Sequence, residues 1–144
     1  MKKIALIIFM VIIVTNLYGC KDKNSTTLYE NDKYNFTFKI PEDWENKFDV
    51  IEKNNSVSFL YTEHKNVNDE YEPFFTIIIE DRSEYDKKSE QEYSQNMVLG
   101  QNDKYVFIHH VLLDVGFSDS NKGNDYAELS LSRNEIKERL DIKD

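Results

Sequence analysis

Few residues of this 144-residue chain have types that could carry out chemistry, and its three histidines are the first to consider. His109 and His110 are adjacent on a predicted strand. Because successive side chains of a strand point to opposite faces, these two residues cannot bind one ion together. Each lies among apolar neighbours, so we expect both to be hydrogen-bonded core histidines or histidines covered by a helix.

The third histidine, His64, lies in the acidic segment 63–72, which is a candidate cation site. Its carboxylates are of the kind that a hard cation such as Ca²⁺ prefers. However, the spacing fits no EF-hand, and the segment has no glycine for a tight ligand turn. We therefore predict a solvated charged loop, with no metal and no other cofactor. The acidic members of this segment are Glu63, Asp69, Glu70 and Glu72.

No catalytic motif stands out among the serines or glycines. None of the serines lies in Gly-x-Ser-x-Gly or Ser-x-x-Lys. His-Glu-x-x-His and glycine-rich phosphate loops are absent from the sequence, which has only four glycines. We predict a protein that is not an enzyme. Carboxylates can still pair in space, so a hydrolase of cell-wall glycan or peptide stays open as an alternative.

Cys20 is the only cysteine, so the chain has no disulfide framework and no second thiol. It follows a basic start, residues 1–3, and an unbroken apolar run, residues 4–14. This order is the plan of a secretory signal peptide. The apolar run is shorter than the roughly 18 residues that a membrane-spanning helix needs, which favours export over a permanent span.

The tetrapeptide Leu17-Tyr18-Gly19-Cys20 resembles the lipobox of bacterial lipoproteins, in which an aliphatic residue, a small residue and Gly or Ala precede Cys. The resemblance implies a diacylglyceryl thioether on Cys20 and cleavage before it. Tyr18 departs from the pattern, since a small residue is usual there. The division expected is a signal peptide at 1–19, the lipidated Cys20 with a polar tether at 20–27, and one domain at 28–144. An ordinary signal peptide, or an uncleaved anchor with an incidental cysteine, is the alternative.

The net charge of −9 at pH 7 narrows the choice of partners. Removal of the leader takes away Lys2 and Lys3 and makes the mature chain more acidic. Such a chain repels phosphate backbones and anionic head groups, so nucleic-acid binding is not expected. We expect contact with the membrane to go through the lipid.

The remaining pattern predicts strands first and helices later. Residues 34–40 alternate aromatic and polar, as in a half-buried antiparallel strand, and Pro41 ends it before Trp44, which should fill the edge of the core. Gly100 is expected to end a helix. The order β-β-β-β-β-α-β-α favours an α+β domain with one antiparallel sheet packed by helices. Strands are predicted at 28–30, 34–40, 48–53, 56–62, 74–79 and 105–113, and helices at 83–97 and 125–141.

The segment 34–44, Tyr-Asn-Phe-Thr-Phe-Lys-Ile-Pro-Glu-Asp-Trp, is similar to the opening of PsbP-like domains. There an aromatic-rich strand runs into Pro-x-x-Trp after a short hairpin. Later segments look like small lipoproteins of Gram-positive bacteria built on this theme, and the likeness covers most of 28–140. It implies an α-β-α sandwich and an accessory or assembly role, with no shared catalytic motif.

Tyrosine is abundant, and its ring buries apolar area while its hydroxyl keeps a polar contact, which suits protein interfaces. Core positions account for several tyrosines and leave Tyr71 and Tyr29 as exposed candidates. We therefore expect a lipid-anchored protein on the extracytoplasmic face of the cell membrane that contacts another envelope protein. A small-ligand or cation-binding envelope protein is the alternative.

Overall fold

The computed structural model describes residues 27–88, 97–110 and 116–144. The predicted signal peptide, the lipobox Leu17 to Cys20 and the tether up to residue 26 lie outside the described residues, as do residues 89–96 of the predicted helix 83–97. In the described part of the chain no helix is long and apolar enough to cross a membrane.

The described residues form two antiparallel sheets. A three-stranded sheet has the order β1-β2-β8, and a five-stranded sheet has the order β3-β4-β5-β7-β6. The strands are β1 (Leu28–Asn31), β2 (Phe36–Lys39), β3 (Phe48–Lys53), β4 (Ser56–Lys65), β5 (Tyr71–Asp81), β6 (Val98–Gln101), β7 (Tyr105–His110) and β8 (Leu140–Ile142). The helices are α1 (Arg82–Tyr85), α2 (Ser120–Leu129) and α3 (Arg133–Arg139), and a 3₁₀ turn spans Glu42–Trp44.

This architecture is α+β, as the order of predicted elements indicated, but it does not have the single sheet that we expected. The difference arises because β2 pairs with β1 and β8, not with β3. Pro41 stops the first hairpin and the 3₁₀ turn redirects the chain, so β3 starts a second sheet.

An aromatic core fills the space between the two sheets. Phe36 and Phe38 of β2 are fully buried, Phe36 against Phe107 of β7 and Phe38 against Phe59 of β4 and Phe75 of β5. The ring centroids of Phe38 and Phe59 are 4.8 Å apart, and those of Phe38 and Phe75 are 5.4 Å apart. Burial alternates along β4 as the period-two pattern of its sequence predicts, whereas Thr37 between the two β2 rings is buried as well, and the adjacent Phe74 and Phe75 of β5 are both buried.

The prediction that Trp44 fills the edge of the core is confirmed. Its side chain is 0 % exposed, and its ring stacks on that of Phe74 with centroids 4.2 Å apart. The indole N–H donates to the carbonyl of Leu129 at 2.8 Å, so this polar group is satisfied inside the core. Trp44 therefore joins the loop after β2 to β5 and to the end of α2.

The single terminal helix predicted at 125–141 is wrong. The chain forms α2 and α3 with a break at Ser130, and it ends in the short strand β8. The break has a local cause, because Ser132 begins α3 with a capping box in which its side chain and that of Glu135 each accept from the other's backbone N–H. Tyr126 and Ile136 are buried as predicted, whereas Leu140 lies in β8 and pairs with Phe38.

The prediction that Gly100 ends a helix is also wrong. Gly100 lies within β6, and its φ is not positive. A Cβ at this position would lie 2.6 Å from Cδ1 of Ile142, so glycine allows β8 to pass close to β6. Within the described residues, the helix predicted at 83–97 is present as the single turn α1, preceded by Asp81.

Candidate functional site

The outer face of the five-stranded sheet, turned away from the aromatic core, is covered at one end and open at the other. Val106 and Ile108 of β7 are buried on this face and are not part of the aromatic core. At the other end Ile51 of β3 is 42 % exposed, and Ser58 of β4 is partly exposed. The face is therefore open over β3, β4 and β5.

This open part forms the outer groove, which has a volume of about 630 Å³. That size falls in the range of roughly 300–1,000 Å³ that is usual for ligand sites. The groove is lined by Ile51, Lys53, Ser56, Ser58, Leu60, Lys65, Asp69, Glu70, Tyr71, Pro73, Thr76 and His110.

The floor of the outer groove contains a row of side chains that crosses four strands. Ile51 pairs with Ser58, Ser58 with Thr76, and Thr76 with His110. Residues paired across strands lie on the same face of a sheet. With strands about 4.8 Å apart, three steps give a row about 14 Å long. We call these four residues the cross-strand row.

The middle of the cross-strand row is polar. The hydroxyl oxygens of Ser58 and Thr76 lie 2.8 Å apart and share one hydrogen bond. A pair of hydroxyls has further donor and acceptor capacity, which it can offer to a bound molecule. In the described part of the chain neither hydroxyl has an imidazole or carboxylate as hydrogen-bond partner. The middle of the row is thus arranged as a polar contact surface.

One end of the outer groove is closed by the β4–β5 hairpin. Tyr71 is 42 % exposed there, with the ammonium of Lys65 at 5.6 Å from its ring centroid. Lys65 also pairs with Asp69 at 3.1 Å across the turn. The prediction of an exposed Tyr71 is confirmed, and this ring forms an apolar wall beside the polar floor.

The expectation of an exposed Tyr29 is wrong. Its ring packs edge-on against Phe59 at 5.4 Å, and its hydroxyl donates to Oε1 of Glu52 at 2.7 Å. Burial raises the pKa of the Tyr29 phenol above its ordinary value, as does the adjacent Glu52 carboxylate. Tyr29 therefore joins the three-stranded sheet to the edge of the five-stranded sheet and is not free for a partner.

The structure places His109 and His110 on opposite faces of β7, as the alternation predicted. His109 contacts the core ring of Phe75, with centroids 6.1 Å apart, and its buried Nε2 has no hydrogen-bond partner among the described residues. His110 is exposed and lies at the end of the cross-strand row. The expectation of a covered histidine is therefore wrong for His110, because the outer face is open at this point.

His109 should make the stability of the domain depend on pH. Burial lowers its pKa below the ordinary value of 6.5, and the charges of Arg133 and His110 lower it further. The unfolded chain then takes up a proton at a higher pH than the folded chain does. Stability should fall as the pH drops below about 6.5 and level off below the lowered pKa.

Urea unfolding of the wild type and of His109→Gln between about pH 5 and pH 8 measures this dependence. The substitution should flatten the slope below about pH 6.5. His110→Gln, on the exposed face, is the matched control; it removes only the smaller effect of the His110 charge on the pKa of His109 and should keep most of the slope. An unchanged slope in His109→Gln would assign the pH dependence to other groups.

The acidic segment around His64 is not the loop that we predicted. β4 runs to Lys65 and β5 starts at Tyr71, so the loop is only 66–70. His64 lies within β4, and its Nε2 is 3.7 Å from Oδ2 of Asp125 on α2. Glu63, Asp69 and Glu70 are exposed, whereas Glu72 is buried. The residues that the structure describes contain no group of three or more His, Cys, Asp or Glu side chains placed to hold a metal ion.

Sequence reasoning missed Ser58, Thr76 and His110 as members of one site. None of them lies in a motif, and they come together only through the register of four strands. A signal was present in Ser56-Val-Ser58-Phe-Leu60, where serines alternate with buried residues and mark a polar outer face. The predicted lipobox residues 17–20 lie outside the described residues.

These features define an α+β domain with an open groove on one face of an antiparallel sheet. Comparison of the chain with protein-family models, with curated proteins and with solved structures returns no match.

Proposed function

We propose that this protein is a lipid-anchored, non-catalytic domain on the extracytoplasmic face of a bacterial cell membrane, where it binds another envelope protein through the outer groove. The observation that carries the binding proposal is the cross-strand row, a polar strip on an open sheet face with exposed apolar side chains beside it. The anchoring proposal rests on the basic start, the short apolar run and the lipobox-like segment 17–20.

The composition of the outer groove favours a protein partner over a small ligand. Small-ligand sites are mostly apolar concave pockets that enclose their ligand. Here the lining includes both polar and apolar side chains, and Ile51 on β3 and Tyr71 at the β4–β5 hairpin are each 42 % exposed. Aromatic side chains beside hydrogen-bonding groups are typical of the centre of a protein interface.

A hydrolase finds less support in this groove. Its carboxylates are Asp69 and Glu70, which are neighbours on the exposed loop after β4. Asp69 is paired with Lys65 at 3.1 Å. A glycosidase needs two carboxylates that flank the substrate about 5–10 Å apart. Two adjacent residues at one end of a groove do not provide that arrangement.

We propose further that the domain is a variant of the PsbP-like fold. The β1–β2 hairpin that runs into Pro41 and the buried Trp44 supports this relation. Against it, the layer packed on the core face of the five-stranded sheet contains the strands β1, β2 and β8 as well as α2 and α3, whereas an α-β-α sandwich would have helices alone in that layer.

The anchor is tested by intact-mass analysis of the full chain after expression in a bacterial host and extraction from membranes. We expect a mature chain that begins at Cys20 and carries a diacylglyceryl group. Cys20→Ala should lose both the cleavage and the lipid. An unlipidated mass, or an uncut leader on the wild type, would refute the anchor and leave the groove to be judged separately.

The groove is tested by photocrosslinking in living cells, with the photoreactive residue placed at Tyr71. We expect one crosslinked partner protein, and we expect Ser58→Arg, which fills the polar floor, to remove that product. The matched control has the photoreactive residue at Glu138, which is exposed on α3 away from the groove. Equal products from both positions, or a product that Ser58→Arg does not reduce, would refute partner binding in the groove.

A further inference from the structure

The strand β3 forms an open edge of the five-stranded sheet. Its neighbour on one side is β4, and no strand in the described part of the chain pairs with its other side. An unpaired edge offers free backbone N–H and C=O groups to another strand. β3 also contributes Ile51 and Lys53 to the outer groove, so the edge and the groove are continuous.

The backbone groups of β3 that face outward can be assigned from the register. The N–H of Thr62 donates to the carbonyl of Lys47 at 2.9 Å, which makes this pair a hydrogen-bonded one. Hydrogen-bonded pairs alternate along an antiparallel ladder, so the carbonyl of Lys47 and the backbone groups at 49, 51 and 53 face β4. The outward groups therefore belong to Phe48, Val50 and Glu52. Consistent with this, the N–H of Val50 is taken by Oδ1 of Asp49 at 2.8 Å, not by β4.

We propose that a second copy of this chain pairs antiparallel with β3, about a two-fold axis at Ile51. In this register Val50 of one copy lies opposite Glu52 of the other, and both have outward backbone groups, so four backbone hydrogen bonds form. Asp49 lies opposite Lys53 of the other copy on each side of the axis. The half-exposed Ile51 side chains of the two copies meet at the centre.

The charges along β3 select this register over its neighbours. An axis at Val50 places Asp49 opposite Ile51 and Lys53 opposite Lys47 of the other copy, which brings two cations together. An axis at Asp49 places the two Asp49 carboxylates against each other. Like charges directly opposite one another destabilise a strand pair, whereas opposite charges stabilise it. An axis at Ile51 forms two ion pairs and no like-charge pair among residues 49–53.

The same register joins the two outer grooves. Ile51 is the end residue of the cross-strand row, which runs through Ser58 and Thr76 to His110. A two-fold axis at Ile51 makes the rows of both copies collinear, so that one continuous row crosses eight strands. The paired protein would present a symmetric groove twice as long as that of one copy.

The Asp49 side chain must change its hydrogen-bond partner before two copies can pair. In the single chain its carboxylate occupies the N–H of Val50, which a second copy needs, and it must turn to Lys53 of that copy before the strands can join. A short edge with exposed ion pairs gains little in dilute solution. Confinement to one membrane surface raises the effective concentration of the copies, so pairing is expected there first.

Disulfide crosslinking in whole cells tests the proposal on the full chain. Ile51→Cys should give a dimer on a non-reducing gel after mild oxidation, because directly opposed residues of a non-hydrogen-bonded pair lie about 4.5 Å apart at Cα, within disulfide reach. Asp49→Cys and Lys53→Cys should each give no dimer alone and should crosslink when the two variants are co-expressed. The wild type, with Cys20 alone, sets the background.

Charge exchange gives a second measurement of the same dimer. Asp49→Lys in the Ile51→Cys chain should lower the dimer yield several-fold, and Asp49→Lys with Lys53→Asp should restore it. The proposal would be overturned by any of three results. These are equal dimer yields from all single cysteine variants, no dimer from Ile51→Cys, and no recovery of the dimer yield in the variant with both charges exchanged. The masses of the same samples report whether Cys20 is lipidated, so a failure of the anchor and a failure of pairing are read separately.

Discussion

Replacing Trp44 by alanine is expected to lower the free energy of unfolding by about 3–5 kcal/mol, the range found for large aromatic residues in cores. Trp44 is fully buried and stacks on Phe74, and its ring also contacts those of Phe48, Phe59 and Phe75. Its removal leaves a cavity between rings held by two sheets, which cannot collapse without moving the strands. Urea unfolding followed by circular dichroism measures the loss.

Trp44→Phe separates the two contributions of this side chain. Phenylalanine keeps most of the apolar contact but cannot donate to the carbonyl of Leu129, which accepts the indole N–H at 2.8 Å. The buried carbonyl then has no donor from this side chain, which costs about 1–3 kcal/mol. We expect Trp44→Phe to fall between the wild type and Trp44→Ala. A loss of less than about 1 kcal/mol in Trp44→Ala would contradict the role of Trp44 as the link between β5 and α2.

The features of the fold that depend on neighbouring residues could be predicted from the sequence. The alternation of 34–40 gave the buried face of β2, and Pro41 followed by Trp44 gave the corner that closes the core. Each of these depends on residues within one strand or one turn. The assignment of β2 and β3 to different sheets depends on contacts with β8, which is about a hundred residues away in the chain, and no local pattern encodes it.

The C-terminal segment shows why periodicity alone was misleading. Tyr126, Leu129, Ile136 and Leu140 have helical spacing, and the first three are buried on helices. Leu140 is in a strand because β2 offers an unpaired edge to Leu140–Ile142, and the pairing gain exceeds the helix propensity of so short a piece. The Ser132 capping box was visible in the sequence and marks the start of a second helix.

The outer groove could be predicted only in part. Tyr71 followed from the excess of tyrosines over core positions. The cross-strand row could not be predicted, because Ser58, Thr76 and His110 are ordinary residues until the register places them side by side. The edge of β3 that no described strand pairs with could not be predicted either, because the sequence of a strand does not tell whether both of its sides are paired.

Glu72 is buried in the structure, although the sequence predicted that it would be solvated. An acidic residue in an acidic segment is expected to be exposed to solvent, yet the Glu72 residue is only 5 % exposed. Its Oε1 accepts from Nδ2 of Asn66 at 2.9 Å and from the N–H of Gly116 at 3.3 Å. The carboxylate therefore holds the β4–β5 loop against the segment that leads into α2. Buried polar groups persist where their hydrogen bonds are made, as they are here.

Glu72→Ala is accordingly expected to lower the free energy of unfolding by about 1–3 kcal/mol, since it leaves the partly buried amide of Asn66 and the partly buried backbone N–H of Gly116 without their acceptor. Glu72→Gln keeps a carbonyl oxygen for one of these donors and should lose roughly half as much. The matched control is Glu70→Ala, two residues earlier on the exposed loop, which should stay within about 0.5 kcal/mol of the wild type. Urea unfolding of the three variants and the wild type at neutral pH measures these differences in the free energy of unfolding. Equal, small losses in Glu72→Ala and Glu70→Ala would mean that water replaces the carboxylate and that Glu72 does not hold the loop.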